Sequence, residues 1–233
     1  MIDETATHSP ETVMSTRLAL EPDPSVAVLE AARDLLRRGG VLAMPTESYY
    51  ALGACVFNHE AVHRVSTIKG QREDKPILIL ISDPTRLAQL VIDVPHAAQV
   101  LMDRFWPGPL TLVFQAAPHL PSELTRGTGT VGIRQPARPD LLTLLHYVGP
   151  LTGTSANRTG HAPVRTAEQV HAELGGDVDL ILDGGETPGG LPSTLADVTG
   201  SVRVLRDGPV SRQEIQCVLT ESGILLPGRP FND

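Results

Sequence analysis

The sequence predicts an α/β domain built on a mixed parallel and antiparallel sheet flanked by helices. Three observations point there. Segments with helical spacing alternate with short apolar runs through most of the chain. One run, Ile77-Leu78-Ile79-Leu80-Ile81, is apolar at every position, as strands covered on both faces are. Three strand-like segments near the end follow one another without an intervening helix, so the sheet cannot be wholly parallel. The 233 residues, 41% of them hydrophobic, can fill one large core. No repeat or low-complexity linker divides them. One domain is therefore expected over 23–220, with a flexible lead-in over 1–22 and a tail over 221–233.

The elements follow in order. Asp23 reads as an N-cap with Pro24 in the first helical turn, and Val26, Leu29, Ala32 and Leu36 keep helical spacing. Arg37 and Arg38 suit the negative end of the helix dipole, and Gly39-Gly40 stop it. Val41 to Met44 is a short buried strand ending in the polar loop 45–48. Asn58 can cap a helix to about Ile68, and a charged loop over 69–76 leads into the strand 77–81. Asp83-Pro84 opens another helix, and a further one fits Ala97 to Arg104 before Pro107-Gly108-Pro109 breaks it. Leu110 to Phe114 and Thr130 to Arg134 read as strands, Pro139 to about Tyr147 as a helix, and Leu151 to Thr154 as a strand followed by the turn 155–157. Thr166 can cap a helix to Leu174. Asp179–Leu182, Ser193–Val198 and Val202–Leu205 are strands, and Ser211 caps a last helix to Leu219.

Composition removes several function classes. The formal charge of -8 and the single Trp argue against a broad basic, aromatic face for gripping nucleic acid, so direct binding of tRNA is not expected. Cys55 and Cys217 stand far apart, with no metal or disulfide spacing. The segment from Met1 to Leu20 is polar, without the apolar stretch of a signal peptide, and no apolar run is long enough to span a membrane. A cytoplasmic protein without membrane attachment is expected. Phosphate-loop and nucleophile-elbow motifs are absent from the sequence. The scattered histidines read as surface or cap residues, and Asp183 is the one weak candidate for metal contact.

The remaining signal lies in polar segments that adjoin apolar strands, at 45–48, 69–75, 130–134, 154–157 and 193–194. In open α/β sheets such strand ends converge on one cleft. The chain has 17 Arg and only two Lys, yet Lys69 and Lys75 fall in one loop with Arg72. Three cations there suit a triphosphate, whose departing pyrophosphate gathers negative charge, although a solvated charged turn looks the same in isolation. Thr154-Ser155-Ala156-Asn157 gathers hydroxyl and amide groups that could hold phosphate oxygens or merely close their own turn. Arg134, ending a strand, could clamp a carboxylate or pair on the surface, and Arg206 reads the same way.

Taken in order, these segments carry a resemblance. They include Gly39-Gly40, Pro45-Thr46-Glu47-Ser48-Tyr49-Tyr50-Ala51-Leu52-Gly53, Ile68-Lys69-Gly70 and Lys75-Pro76. Trp106-Pro107-Gly108-Pro109-Leu110-Thr111-Leu112-Val113, Val131-Gly132-Ile133-Arg134 and Thr154-Ser155-Ala156-Asn157 follow. The series ends with Ile181-Leu182-Asp183-Gly184-Gly185, Ser193-Thr194-Leu195-Ala196-Asp197 and Val204-Leu205-Arg206-Asp207-Gly208. Over roughly 25–215 the chain resembles the YrdC family of threonylcarbamoyl-AMP synthases, in its form without an added C-terminal domain. The resemblance implies a twisted mixed sheet with a large open cleft. It also implies a nucleotidyltransferase that joins L-threonine, bicarbonate (or carbon dioxide) and ATP into threonylcarbamoyl-AMP and pyrophosphate. Magnesium would be carried on the ATP phosphates, with no protein ligand assigned. Separate transfer proteins would then modify tRNA.

By position, the resemblance gives Lys69, Arg72, Ser155 and Asn157 catalytic roles. It adds Lys75, Thr130, Ala156 and Arg206 to the ATP contacts, and assigns Ser48, Arg134, Thr154 and Ser193 to threonine. Two positions depart from the family pattern: Gln71 stands where the motif has Arg, and Leu80 replaces a common histidine. Two other readings remain, a carbamoyl-adenylate-forming paralogue with a different acceptor and a non-catalytic RNA-binding module.

Overall fold

In the computed structural model, which describes residues 15–70 and 76–224, the first element lies inside the expected lead-in. β1 (Thr16–Ala19) pairs in parallel with β9 (Leu180–Asp183) at the edge of a sheet, Thr16 opposite Leu180 and Ala19 opposite Asp183. Its sequence, Thr-Arg-Leu-Ala, is short and mostly exposed. The backbone ladder and the ion pair of Arg17 with Asp183 hold it, and neither leaves an apolar pattern to read.

The helices begin where capping groups stand. α1 (Val26–Arg37) is capped by Ser25, whose hydroxyl accepts from the Val28 N–H, rather than by Asp23 as the sequence suggested. β2 (Leu42–Pro45) turns back as β3 (Tyr50–Gly53), an antiparallel partner not foreseen, since the sequence reading assigned 50–53 to no element. α2 (His59–Ile68) takes its expected cap from Asn58, at 3.0 Å from the Ala61 N–H, and ends at Lys69. β4 (Ile79–Leu80) is shorter than the expected strand, and a 3-10 helix (Pro84–Gln89) replaces the α-helix expected after Asp83. α3 (His96–Phe105) leads through a cis Trp106–Pro107 bond to β5 (Leu110–Gln115). The single turn α4 (Ser122–Thr125), unforeseen, precedes β6 (Thr130–Arg134), and α5 (Pro139–Val148) starts with Pro139 in its first turn. β7 (Leu151–Thr152) and β8 (Thr154–Ser155) divide what reads as one strand. α6 (Ala167–Leu174) carries its Thr166 cap and leads to β9. β10 (Thr194–Asp197), β11 (Arg203–Arg206) and α7 (Arg212–Glu221), opened by a Ser211–Glu214 capping box, complete the order.

The strands form two mixed sheets. The first runs β1-β9-β2-β3-β8, the second β11-β10-β5-β6-β4-β7. Gly153 is the crossing point: β7 pairs with β4 in the second sheet, and β8 with β3 in the first. A Cβ at Gly153 would lie 2.6 Å from Leu80 Cγ, so only glycine lets the chain pass that close while changing sheets.

Apolar faces fill the space on either side. α3 and α7 cover the second sheet over a core that includes Leu101, Leu112, Phe114, Ile133 and Ile215. α2 and α6 cover the first through Val65, Ile68, Val170 and Leu174, while α1 and α5 pack on each other over Leu42, Met44 and Leu80. Their other faces are left to frame a cleft.

Candidate active site

The cleft between the sheets has a volume of about 570 Å³. That is the size of a pocket for a nucleotide-scale ligand. One wall comes from the first sheet, with Ser48, Tyr50 and Ala51 from the β2–β3 hairpin and Thr154 and Ser155 from β8. The opposite wall comes from the second sheet, with Thr111, Val113, Thr130, Gly132 and Arg134 from its central antiparallel pair. Leu195 and Arg206 extend that wall at β10 and β11. Gly132 keeps the floor open, since a Cβ there would come 3.2 Å from Thr111 Cγ2. Leu205, 52% exposed, also lines the cleft.

Arg134 is the most enclosed cation of the wall, 5% exposed, and burial lowers its pKa below the ordinary guanidinium value. Glu47 opposes that shift: its carboxylate lies 3.3 and 3.4 Å from the two terminal nitrogens of Arg134. Arg206 reinforces the shift as a second cation. Arg206 itself donates to the Ser193 carbonyl at 2.9 Å, and Ser193 Oγ lies 2.8 Å from Thr111 Oγ1. Partial desolvation lowers the Arg206 pKa as well. The hydroxyls of Thr128 and Thr130 lie 2.9 Å apart on the same wall.

At the other end, the C-terminus of α2 meets the turn after β8. Lys69 Nζ donates to the carbonyls of Asn157 at 2.7 Å and Ser155 at 2.9 Å, and lies 3.3 Å from Ser155 Oγ. The Thr159 N–H returns a bond to the Lys69 carbonyl at 2.9 Å. The Asn157 amide donates to the carbonyls of Arg158 and His161, which makes the turn close on itself as an Asx turn would.

A family model for the Sua5/YciO/YrdC domain, described as telomere recombination, matches residues 34–208. The chain belongs to the Sua5/YciO/YrdC family. Among its relatives, it is 39% identical over 169 residues to a threonylcarbamoyl-AMP synthase of Thiobacillus denitrificans, covering 72% of this chain and 89% of the relative. It is 38% identical over 200 residues to a threonylcarbamoyl-AMP synthase of Bacillus subtilis, covering 84% of this chain and 57% of that one. Its structure is similar to that of Sua5 from Pyrococcus abyssi complexed with L-threonine. That likeness has a TM-score of 0.83 and 34% identity, over 89% of this chain and 62% of the other. The chain thus spans about three-fifths of the length of these last two.

For this Sua5/YciO/YrdC chain, the structure brings together most of the positions that the sequence singled out. Ser48, Thr130, Arg134, Thr154, Ser155, Ser193 and Arg206 all line the one cleft. Lys69 and Asn157 are buried behind its β8 wall, joined to Ser155. Ala156 is fully buried, its N–H donates to the Tyr50 carbonyl at 2.8 Å, and it is not part of the cleft lining. Gln71, Arg72 and Lys75 lie outside the described residues. Leu80, which stands where the family pattern has a histidine, packs in the core beneath Gly153 and is not part of the cleft lining. Asp183 pairs with Arg17 at 2.5 Å and accepts the Gly185 N–H at 3.0 Å. Burial works to raise its pKa, but Arg17 leads the bonds that bring it below the usual carboxylate value. Among the described residues no cluster of His, Cys, Asp or Glu is arranged for a metal ion. Sequence reasoning did not single out Thr111, Thr128 or Glu47. The first and last stand inside the quoted motifs, but their importance comes from partners on another strand.

Proposed function

We propose that this chain makes threonylcarbamoyl-AMP and pyrophosphate from L-threonine, bicarbonate or carbon dioxide, and ATP. One observation carries the reading. The hydroxyl and guanidinium groups expected to hold an amino acid (Ser48, Arg134, Thr154, Ser193) share a cleft with those expected to hold a nucleotide (Thr130, Ser155, Arg206). A ternary complex needs that adjacency, and the names of the relatives agree with it.

In this mechanism Arg134 grips the threonine carboxylate, which leaves the amine facing the nucleotide half. The amine nitrogen attacks the carbon of carbon dioxide and loses a proton, giving a carbamate. A carbamate oxygen then attacks the α-phosphorus of ATP, the bond to the bridging oxygen breaks, and pyrophosphate departs. The cleft supplies fixed donors, so the gain is in orientation and charge neutralisation rather than covalent catalysis. Lys69 stiffens the 155–157 turn through its two carbonyl bonds and places a positive charge behind Ser155. Magnesium, brought by the triphosphate, would supply further charge neutralisation.

The mixed anhydride formed is a reactive acyl donor, which suits immediate use by separate proteins that modify tRNA. The test is pyrophosphate release from ATP with each co-substrate omitted in turn. Release should require both L-threonine and bicarbonate. Release indifferent to threonine would instead favour a carbamoyl-adenylate-forming paralogue.

A further inference from the structure

We propose that Glu47 is the positioning residue for Arg134, setting the orientation and charge with which that arginine meets a substrate carboxylate. The inference rests on the reading of Arg134 as the carboxylate clamp, and adds a residue to which no ligand role has been given.

The sequence fixes Glu47 in place locally. It sits in the four-residue turn between β2 and β3, where Thr46 Oγ1 donates to the Tyr49 carbonyl at 2.7 Å and accepts the N–H groups of Ser48 and Tyr49 at 3.2 and 3.3 Å. Thr46 N–H closes the turn onto the same Tyr49 carbonyl at 3.1 Å. A hairpin locked this way carries the Glu47 side chain from the first sheet across to β6 of the second. There it faces both terminal nitrogens of Arg134, at 3.3 and 3.4 Å. One contact is a hydrogen bond, from Arg134 Nη2 to Glu47 Oε2, and the other an ion contact; together they restrain the plane of the guanidinium, which a single contact would leave free to rotate.

The pairing is also incomplete. Arg134 Nε and Glu47 Oε1 are both buried without a hydrogen-bond partner. An unmatched buried donor in a cleft wall marks a polar site whose geometry the protein alone does not complete. Charge points the same way. A second guanidinium, Arg206, acts on Arg134 in this wall, and Glu47 is the carboxylate that offsets it. The remaining single positive charge matches one substrate carboxylate. Without Glu47 the buried Arg134 would face Arg206 uncompensated and would swing toward water.

The contrasting role is a latch that only holds the two sheets together. Steady-state kinetics of Glu47→Gln, Glu47→Asp and Arg134→Gln, with KM measured separately for L-threonine and ATP, distinguishes the two. Glu47→Gln should raise the threonine KM on the order of 10- to 100-fold while the ATP KM stays within about twofold. Glu47→Asp, which keeps the charge on a shorter arm, should fall between Glu47→Gln and the natural chain. Calorimetric binding should show the preference for L-threonine over L-threoninol, which lacks the carboxylate, narrowing in Glu47→Gln. Equal losses for both substrates that track a fall in Tm would overturn positioning in favour of the latch. A raised threonine KM in Arg134→Gln with none in Glu47→Gln would overturn positioning alone. An unchanged threonine KM in Arg134→Gln would remove the clamp itself, and this proposal with it.

Discussion

Tyr50 ties the cleft to its scaffold through one buried hydroxyl. Tyr50 is among the cleft-lining residues, and its oxygen lies 2.8 Å from the Gly185 carbonyl and 3.3 Å from Asp183 Oδ1. Burial, and next the charge on Asp183, push its pKa up to about 12. The folded state therefore holds this proton more tightly than the unfolded chain, whose tyrosines titrate near ~10. The stability that this contributes is complete below that value and is lost as the pH rises toward 12, at no more than roughly 1.4 kcal/mol per unit. Denaturant melts at several pH values across that window should show the loss in the natural chain and a shallower one in Tyr50→Phe. Equal slopes would mean that the hydroxyl is not desolvated as described. At this scale the sequence was legible where a residue's chemistry and place suffice, as for Arg134 at a strand end or Ser155 in a turn after one. Glu47 and Thr111 were not, because each acquires its partner only when the sheets face each other. Asn157 shows the reverse case: its motif points to phosphate, while its amide serves the local turn.

Among the elements, glycines decide where the site can form. Gly153 lets one apolar segment serve two sheets, which is why a single expected strand became β7 and β8 and why Thr154 and Ser155 face the cleft. Gly208 does similar work after β11. A Cβ there would lie 2.4 Å from the Thr194 nitrogen and 2.5 Å from the Pro192 carbonyl oxygen, both backbone atoms that cannot turn aside. Gly208→Ala should therefore cost about 1–3 kcal/mol of stability and displace Ser193 from Thr111 and Arg206. A thermal melt combined with the threonine KM checks this, and an unchanged pair of values would mean that the loop relaxes freely. Helix ends were readable because caps act within a few residues, as at Asn58, Thr166 and Ser211. β1 and β3 were not, since both are four residues long and owe their state to neighbours far along the chain.

For the molecule as a whole, the α/β class and its mixed pairing followed from the alternation of periods, but the division into two sheets did not. Periodicity reports which residues are covered, not which sheet covers them. That division matters for function, because the cleft exists only between the sheets. Among the described residues no helix is long and apolar enough to cross a membrane. The formal charge of -8 agrees with the proposed action on small anionic and zwitterionic substrates through a few placed cations. The account stands on two half-sites in one cavity, joined by a carbon that enters from bicarbonate. The most direct test is mass spectrometry of the products formed from ATP, L-threonine and isotope-labelled bicarbonate. It should detect threonylcarbamoyl-AMP carrying the label in its carbamoyl carbon, together with pyrophosphate. Adenylate products without threonine or without the label would contradict the account.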